Sequence, residues 1–357
     1  MDQSCFPGGR PAIPSAVHVP TTLIEMEPSL SVVIVVPPEA QEIPSLSSLQ
    51  RLEGVSQMIE IIVARGRMPS VQRNLAVARA TGDWIWFLDN DSLVSLSTWQ
   101  AVGAWIQRED VDEDVIGGPN LCPSDAPWLQ RAFSLVMSSR LAFGPSRARY
   151  LRVGAERLSS EKELILCHLL MRRTLFLEHE GFDEGLYPNE ENALLEKISS
   201  HGGRLWYDPE CSVERYPRRH LSGFMKMIFR YGRGRAQQFK HHPGKGSLLN
   251  MLPGLFSLYL WLSLFLTLWG NLHANHLWML WIPAAGVAVA SLLEGLLHVR
   301  QHPLLPALIS GPLIPLCHLA YGHGFLLGML GHRDAPEARN RCKHVDLEVI
   351  TSTHKKP

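Results

Sequence analysis

The sequence predicts an α/β domain built on a largely parallel sheet, followed by a membrane-embedded helical region. Three observations carry this reading: continuously apolar strands in the front half, helical periodicity between them, and a back half nearly free of charge. Over 357 residues, 34 Lys and Arg balance 34 Asp and Glu. That balance argues against a nucleic-acid binder, which usually carries a basic excess. Charged residues make up 19% of the chain and apolar residues 46%, but between Lys245 and Glu294 there is no Asp, Glu, Lys or Arg.

The front half supplies the sheet. Residues 30–36 (LSVVIVV) and 58–63 (MIEIIV) read as buried strands, 70–80 (SVQRNLAVARA) as a helix, and 84–88 (WIWFL) as a third strand. Strands without polar alternation belong to sheets covered on both faces. Ligands of such sheets sit beyond the carboxyl ends of the strands. The loops to inspect are therefore Pro37-Pro38-Glu39, Ala64-Arg65-Gly66 and Asp89-Asn90-Asp91. Residues 127–143 have apolar positions at near-helical spacing, which suits core packing or an interfacial helix.

Three stretches, 248–270, 277–297 and 304–330, match the roughly 20 helical residues that a bilayer core of about 30 Å requires. The third carries Pro306, Pro312 and Pro315 and reads as one kinked span or a re-entrant hairpin. His318 and His323 within it suit helix-packing hydrogen bonds. Residues 204–245 hold ten Lys and Arg against three Asp and Glu, and positive flanks stay cytoplasmic. The front domain is thus expected on the cytoplasmic side. The domain reading is a flexible segment at 1–29, the α/β domain at 30–245, a transmembrane region at 246–331 with two to four crossings, and a polar tail at 332–357. Six scattered cysteines form no close pair and read as free thiols.

Asp89-Asn90-Asp91 is the sharpest local feature. Two carboxylates one residue apart at a strand end can both approach a hard cation, which brings phosphates with it. A solvated turn is the plain alternative. An Asp-x-Asp phosphatase and a nucleotide-sugar transferase both use such a triplet.

Five ordered blocks favour the transferase. They are SVVIVV, SVQRNLAVARATGDWIWFLDNDS, GGPNLCP at 117–123, MRRTLFLEHEGFDEGLYPNEENALLEKISSHGGRLWYDPE at 171–210, and FRYGRGRA at 229–236. Their order resembles family 2 glycosyltransferases of the GT-A fold, a Rossmann-like mixed α/β sheet, and is similar to the membrane-bound, ExoA-like members that build exopolysaccharides. The resemblance implies inverting transfer from a UDP- or GDP-sugar, with Asp89 and Asp91 holding Mg²⁺ or Mn²⁺ on the diphosphate. It implies Arg73, Arg230 and Arg233 as phosphate contacts and Glu39 as a residue near the nucleobase. The base falls on Glu190-Glu191, with Glu191 where the family usually has Asp. The acceptor it implies is lipid-linked saccharide or polysaccharide beside membrane lipid, in a bacterial cytoplasmic membrane. After Tyr207-Asp208-Pro209, where the family often supplies a metal-binding His, this chain reads Val213-Glu214-Arg215-Tyr216. A catalytically weak scaffold of the same fold is the alternative from another class.

Overall fold

A computed structural model describes residues 30–52, 59–109, 114–186, 188–241, 250–269, 277–331 and 344–351. The N-terminal segment 1–29, Met58, the ends of the first expected span, Cys5 and Cys342 lie outside the described residues.

In chain order the elements are β1 (Leu30–Val36), α1 (Pro44–Gln50), β2 (Glu60–Gly66), α2 (Pro69–Arg79), β3 (Trp84–Asp89) and α3 (Leu96–Ile106). Next come β4 (Asp114–Gly117), β5 (Asn120–Leu121), α4 (Trp128–Met137), α5 (Arg140–Phe143), β6 (Arg157–Leu158), β7 (His168–Arg172) and α6 (Arg173–Glu178). The remainder are α7 (Glu190–Ser200), β8 (Arg204–Tyr207), β9 (Val213–Glu214), α8 (Leu221–His241), α9 (Leu252–Trp269), α10 (Ile282–His298), α11 (Leu304–Leu330) and β10 (Val345–Thr351).

The main sheet runs β10-β2-β1-β3-β7-β4-β8-β6. All seven residues of β1 are buried, as its unbroken Val/Ile run demands of a central strand. Parallel pairing is confined to β2-β1-β3 and β4-β8, while β7 inserts antiparallel between β3 and β4. The sheet is therefore mixed rather than mostly parallel. An apolar core fills each face: one includes Ala76 and Val77 of α2 and Leu194 and Leu195 of α7, the other Leu49 of α1 and Trp105 of α3. Pro69 opens α2 at a position where its missing N–H costs nothing, and Ser95 caps α3 by accepting from Thr98 N.

A third core joins α4, α8 and α11, with Phe133 and Phe224 stacked at 4.2 Å between ring centroids. This selects core packing for the 127–143 pattern. Helices Leu252–Trp269, Leu277–His298 and Leu304–Leu330 are long and apolar enough to cross a membrane. The third is one continuous helix with Pro312 and Pro315 inside it, not a hairpin. It is also the most covered, with 39% of its apolar window buried against 17% and 11% for the other two. His323 bridges helices by accepting from Trp261 Nε1 at 2.7 Å. Ser139 Oγ and Arg140 N donate to Glu294, which ties the start of α5 to α10.

Within the expected polar tail, β10 pairs antiparallel with β2 along its full length, from Val345 opposite Gly66 to Thr351 opposite Glu60. Its alternation of Val345, Leu347 and Val349 with charged residues is that of a half-buried edge strand.

Candidate active site

The candidate residues converge beyond the carboxyl end of β3. Asp89 is the last residue of that strand, opposite Val35 of β1. Helix α2 carries Arg73 back across the strand ends. Arg73 is only 5% exposed. Its Nη2 donates to Asp89 Oδ1 at 2.9 Å and its Nη1 to Glu190 Oε1 at 3.0 Å. A single guanidinium thus joins the Asp-x-Asp loop to the first turn of α7, 117 residues away in sequence.

On the other side of Asp89 stands Arg215, which the sequence reading did not assign. Its Nη1 donates to Asp89 Oδ2 at 2.9 Å, and its Nε lies 2.7 Å from Asp91 Oδ1. Main-chain bonds hold it there. Leu93 N donates to Glu214 O at 2.7 Å, Glu214 N to Leu93 O at 3.0 Å, and Arg215 N to Leu121 O at 2.8 Å. The basic stretch Arg215 to Arg219 just after Tyr207-Asp208-Pro209 was its only visible signal.

Glu190 and Glu191 occupy the first turn of α7, where their charge also offsets the helix dipole. Asn189 precedes them in the left-handed region at φ 91°, which Asn tolerates better than most residues. Glu191 accepts from Asn192 Nδ2 at 3.0 Å and lies 3.7 Å from Arg149 Nη1. Arg149 in turn donates to Asn192 Oδ1 at 2.6 Å. Arg149 and Asn192 were likewise not legible beforehand.

The charges divide unevenly. Burial by itself would raise the Asp89 carboxyl, but Arg215 and Arg73 hold it below the usual carboxylate range. Burial pushes Glu190 up to about 8, with Arg73 opposing and Glu191 adding to the rise. The folded state therefore binds a proton at Glu190 that the unfolded chain releases above its ordinary value of 4.5. The Glu190 contribution to folding stability is expected to be fully present below that value and to be lost as pH rises toward about 8. The Glu190→Gln variant should flatten the fall in thermal midpoint between about pH 5 and 8. An unchanged slope would contradict this.

The other expected residues are exposed. Glu39 and Arg67 form a loose pair at 4.0 Å, with side chains 72% and 67% exposed. Arg230 and Arg233 lie on the exposed face of α8, whereas Arg235 is buried and donates to Gln238 Oε1 at 3.0 Å. Helix α8 nevertheless reaches the site, because Gly234 packs so close to Pro188 O that an added Cβ would stand 2.6 Å away.

Asp89 and Asp91 offer hard oxygen donors, and Asp91 Oδ1 is buried with Arg215 Nε 2.7 Å away but not aligned for a hydrogen bond. Among the described residues, no group of three His, Cys, Asp or Glu is arranged to hold a metal ion. Mg²⁺-type cations are commonly bound by one or two carboxylates, with phosphates and water completing the shell. The donor set therefore fits a cation that arrives with a diphosphate. An Asp89 nucleophile, as a phosphatase would need, fits poorly, because both of its oxygens accept from guanidinium groups.

The mixed sheet has the GT-A arrangement. Residues 47–156 match the family model described as glycosyl transferase family 2. The succinoglycan biosynthesis protein ExoA of Rhizobium meliloti is 30% identical over 206 residues, which cover 57% of this chain and 58% of the relative. Among solved structures, the mannosyltransferase PcManGT from Pyrobaculum calidifontis, in complex with GDP-Man and Mn²⁺, aligns with a TM-score of 0.52 and 17% identity. That alignment covers 81% of this chain and 87% of the other. Over residues 47–156 the chain is similar to family 2 glycosyltransferases, and over a longer stretch it is similar to ExoA. It spans just over half the length of that relative.

Proposed function

We propose that the chain transfers a sugar, with inversion, from a nucleoside-diphosphate donor to a lipid-linked or polysaccharide acceptor at the cytoplasmic face of a bacterial membrane. The observation that carries this reading is the chain of ion pairs Glu190, Arg73, Asp89, Arg215, Asp91, a candidate diphosphate site whose first member is the sequence neighbour of the candidate base Glu191. The succinoglycan role in the name of ExoA supports a saccharide acceptor. The GDP-Man and Mn²⁺ of the Pyrobaculum enzyme support a nucleotide-sugar with a divalent cation.

Charge supports the same reading. Asp89 and Asp91 are balanced by Arg73 and Arg215, so an arriving diphosphate adds negative charge that no residue of this cluster offsets. A divalent cation held by Asp91 and Asp89 would supply that charge and stabilise the leaving diphosphate. Glu191, fixed by Asn192 and Arg149, takes the acceptor hydroxyl proton as that oxygen attacks the sugar. Glu190 fixes Arg73, and Arg73 orients Asp89. Attack from the face opposite the diphosphate inverts the sugar carbon.

The test is binding of UDP, GDP and their sugars to detergent-purified protein, with and without Mn²⁺, beside Asp91→Ala. Metal-dependent binding to one nucleotide class, weakened at least about 100-fold in the variant, is expected. Well-folded protein that binds none of them would leave a catalytically inert scaffold as the better account.

A further inference from the structure

The guanidinium of Arg215 lies along the edge of the Asp-x-Asp loop, 2.9 Å from Asp89 Oδ2 and 2.7 Å from Asp91 Oδ1. It is the one group in contact with both carboxylates of the pair that any described residue supplies. Its backbone is clamped to Leu93 and Leu121 through Glu214 and its own N–H. The side chain therefore starts from a fixed point beside the pair.

Arg215 carries a positive charge that Asp91 and Asp89 hold in place, and Arg has no neutral state near physiological pH. A divalent ion bound directly to Asp91 Oδ1 would sit about 2.1 Å from an oxygen that Arg215 Nε already approaches. Cation and guanidinium cannot share that oxygen edge, and their repulsion across a few ångströms is substantial at intermediate dielectric. A diphosphate resolves the conflict, because its oxygens match the planar fork of an Arg and give the side chain a second partner.

Building on the transferase reading above, we propose that Arg215 is a built-in counter-cation. It holds the Asp89–Asp91 pair closed to metal in the donor-free protein, then shifts from Asp91 onto the diphosphate when metal and donor enter together. Metal loading becomes conditional on donor. The donor-free site stays charge-balanced, so free divalent cations do not collect there.

Mn²⁺ binding to the full chain in detergent, read from the electron paramagnetic resonance signal of free Mn²⁺, tests this without any turnover. With no nucleotide, wild type is expected to bind Mn²⁺ weakly, and Arg215→Gln at least about tenfold more tightly. Adding UDP or GDP should tighten Mn²⁺ binding strongly in wild type and much less in Arg215→Gln. The Arg215→Lys variant keeps a charge but loses the fork, so it should fall between the two, and it serves as the arm least prone to misfolding. Arg215 variants that bind Mn²⁺ alone no more tightly than wild type would overturn the proposal. If, beside that overturning result, wild type still binds Mn²⁺ with nucleotide and Asp91→Ala does not, the transferase reading stands and only the role of Arg215 is lost. If no form binds Mn²⁺ with any nucleotide, the transferase reading fails and this inference fails with it.

Discussion

Glu191→Gln is expected to lower sugar transfer by about 10²–10⁴-fold while nucleotide and metal binding stay nearly unchanged. The substitution keeps size and shape and removes only the ability to accept a proton. Glu191 is the candidate base because its partners, Asn192 and Arg149, fix the carboxylate without surrounding it, and it keeps 9% exposure. Glu190 is 2% exposed, bonded to Arg73, and held toward its protonated form by burial. Glu190→Gln should therefore act through Arg73, raising KM for the donor more than it lowers kcat. Turnover assays paired with equilibrium donor binding separate the two. The reverse pattern, with Glu190→Gln losing kcat and Glu191→Gln retaining it, would exchange the roles.

The second large effect lies in the helix packing. An added Cβ at Gly324 of α11 would stand 2.0 Å from Phe229 O of α8, and one at Gly232 of α8 would stand 2.0 Å from Tyr321 O of α11. Both obstacles are main chain, which cannot rotate aside. Small residues permit such backbone approach between helices. Gly324→Val is expected to force α8 and α11 apart at a cost of about 3 kcal/mol or more, the upper end for overpacking. The thermal midpoint in detergent should drop sharply. Gly286→Val is the control, since nothing lies within 4 Å of a Cβ there. Activity should fall with stability, because Gly234 of the same α8 backs onto Pro188 and Asn189, which lead into the two glutamates. Equal midpoints for the two variants would show that the α8–α11 contact contributes little.

Much of the front domain was legible because burial on both faces leaves a strong local mark. The Val/Ile runs of β1 and the Trp-Ile-Trp-Phe-Leu run of β3 have few other homes. Strand direction left no such mark. The apolar run of β7 resembles a parallel strand, yet β7 lies antiparallel to β3 and β4. The candidate carboxylates were visible as motifs, but their partners were not. Arg73 meets Glu190, and Arg215 meets Asp89, across separations of 117 and 126 residues that local pattern cannot bridge. The prolines of α11 suggested a break, but a helix packed against α8, α10 and α4 tolerates them where it could not stand alone. β10 was missed because half its residues are polar, as an edge strand allows.

That edge strand has a topological consequence. The chain enters its apolar region from α8, which is packed on the α/β domain, and rejoins the same domain where β10 hydrogen-bonds to β2. Entry is packed on the α/β domain through Gly234 of α8, beside Pro188, and return is hydrogen-bonded to its sheet, so the path between them ends on the side where it began. Any bilayer threaded by this region is crossed an even number of times, although three helices are long enough to cross it.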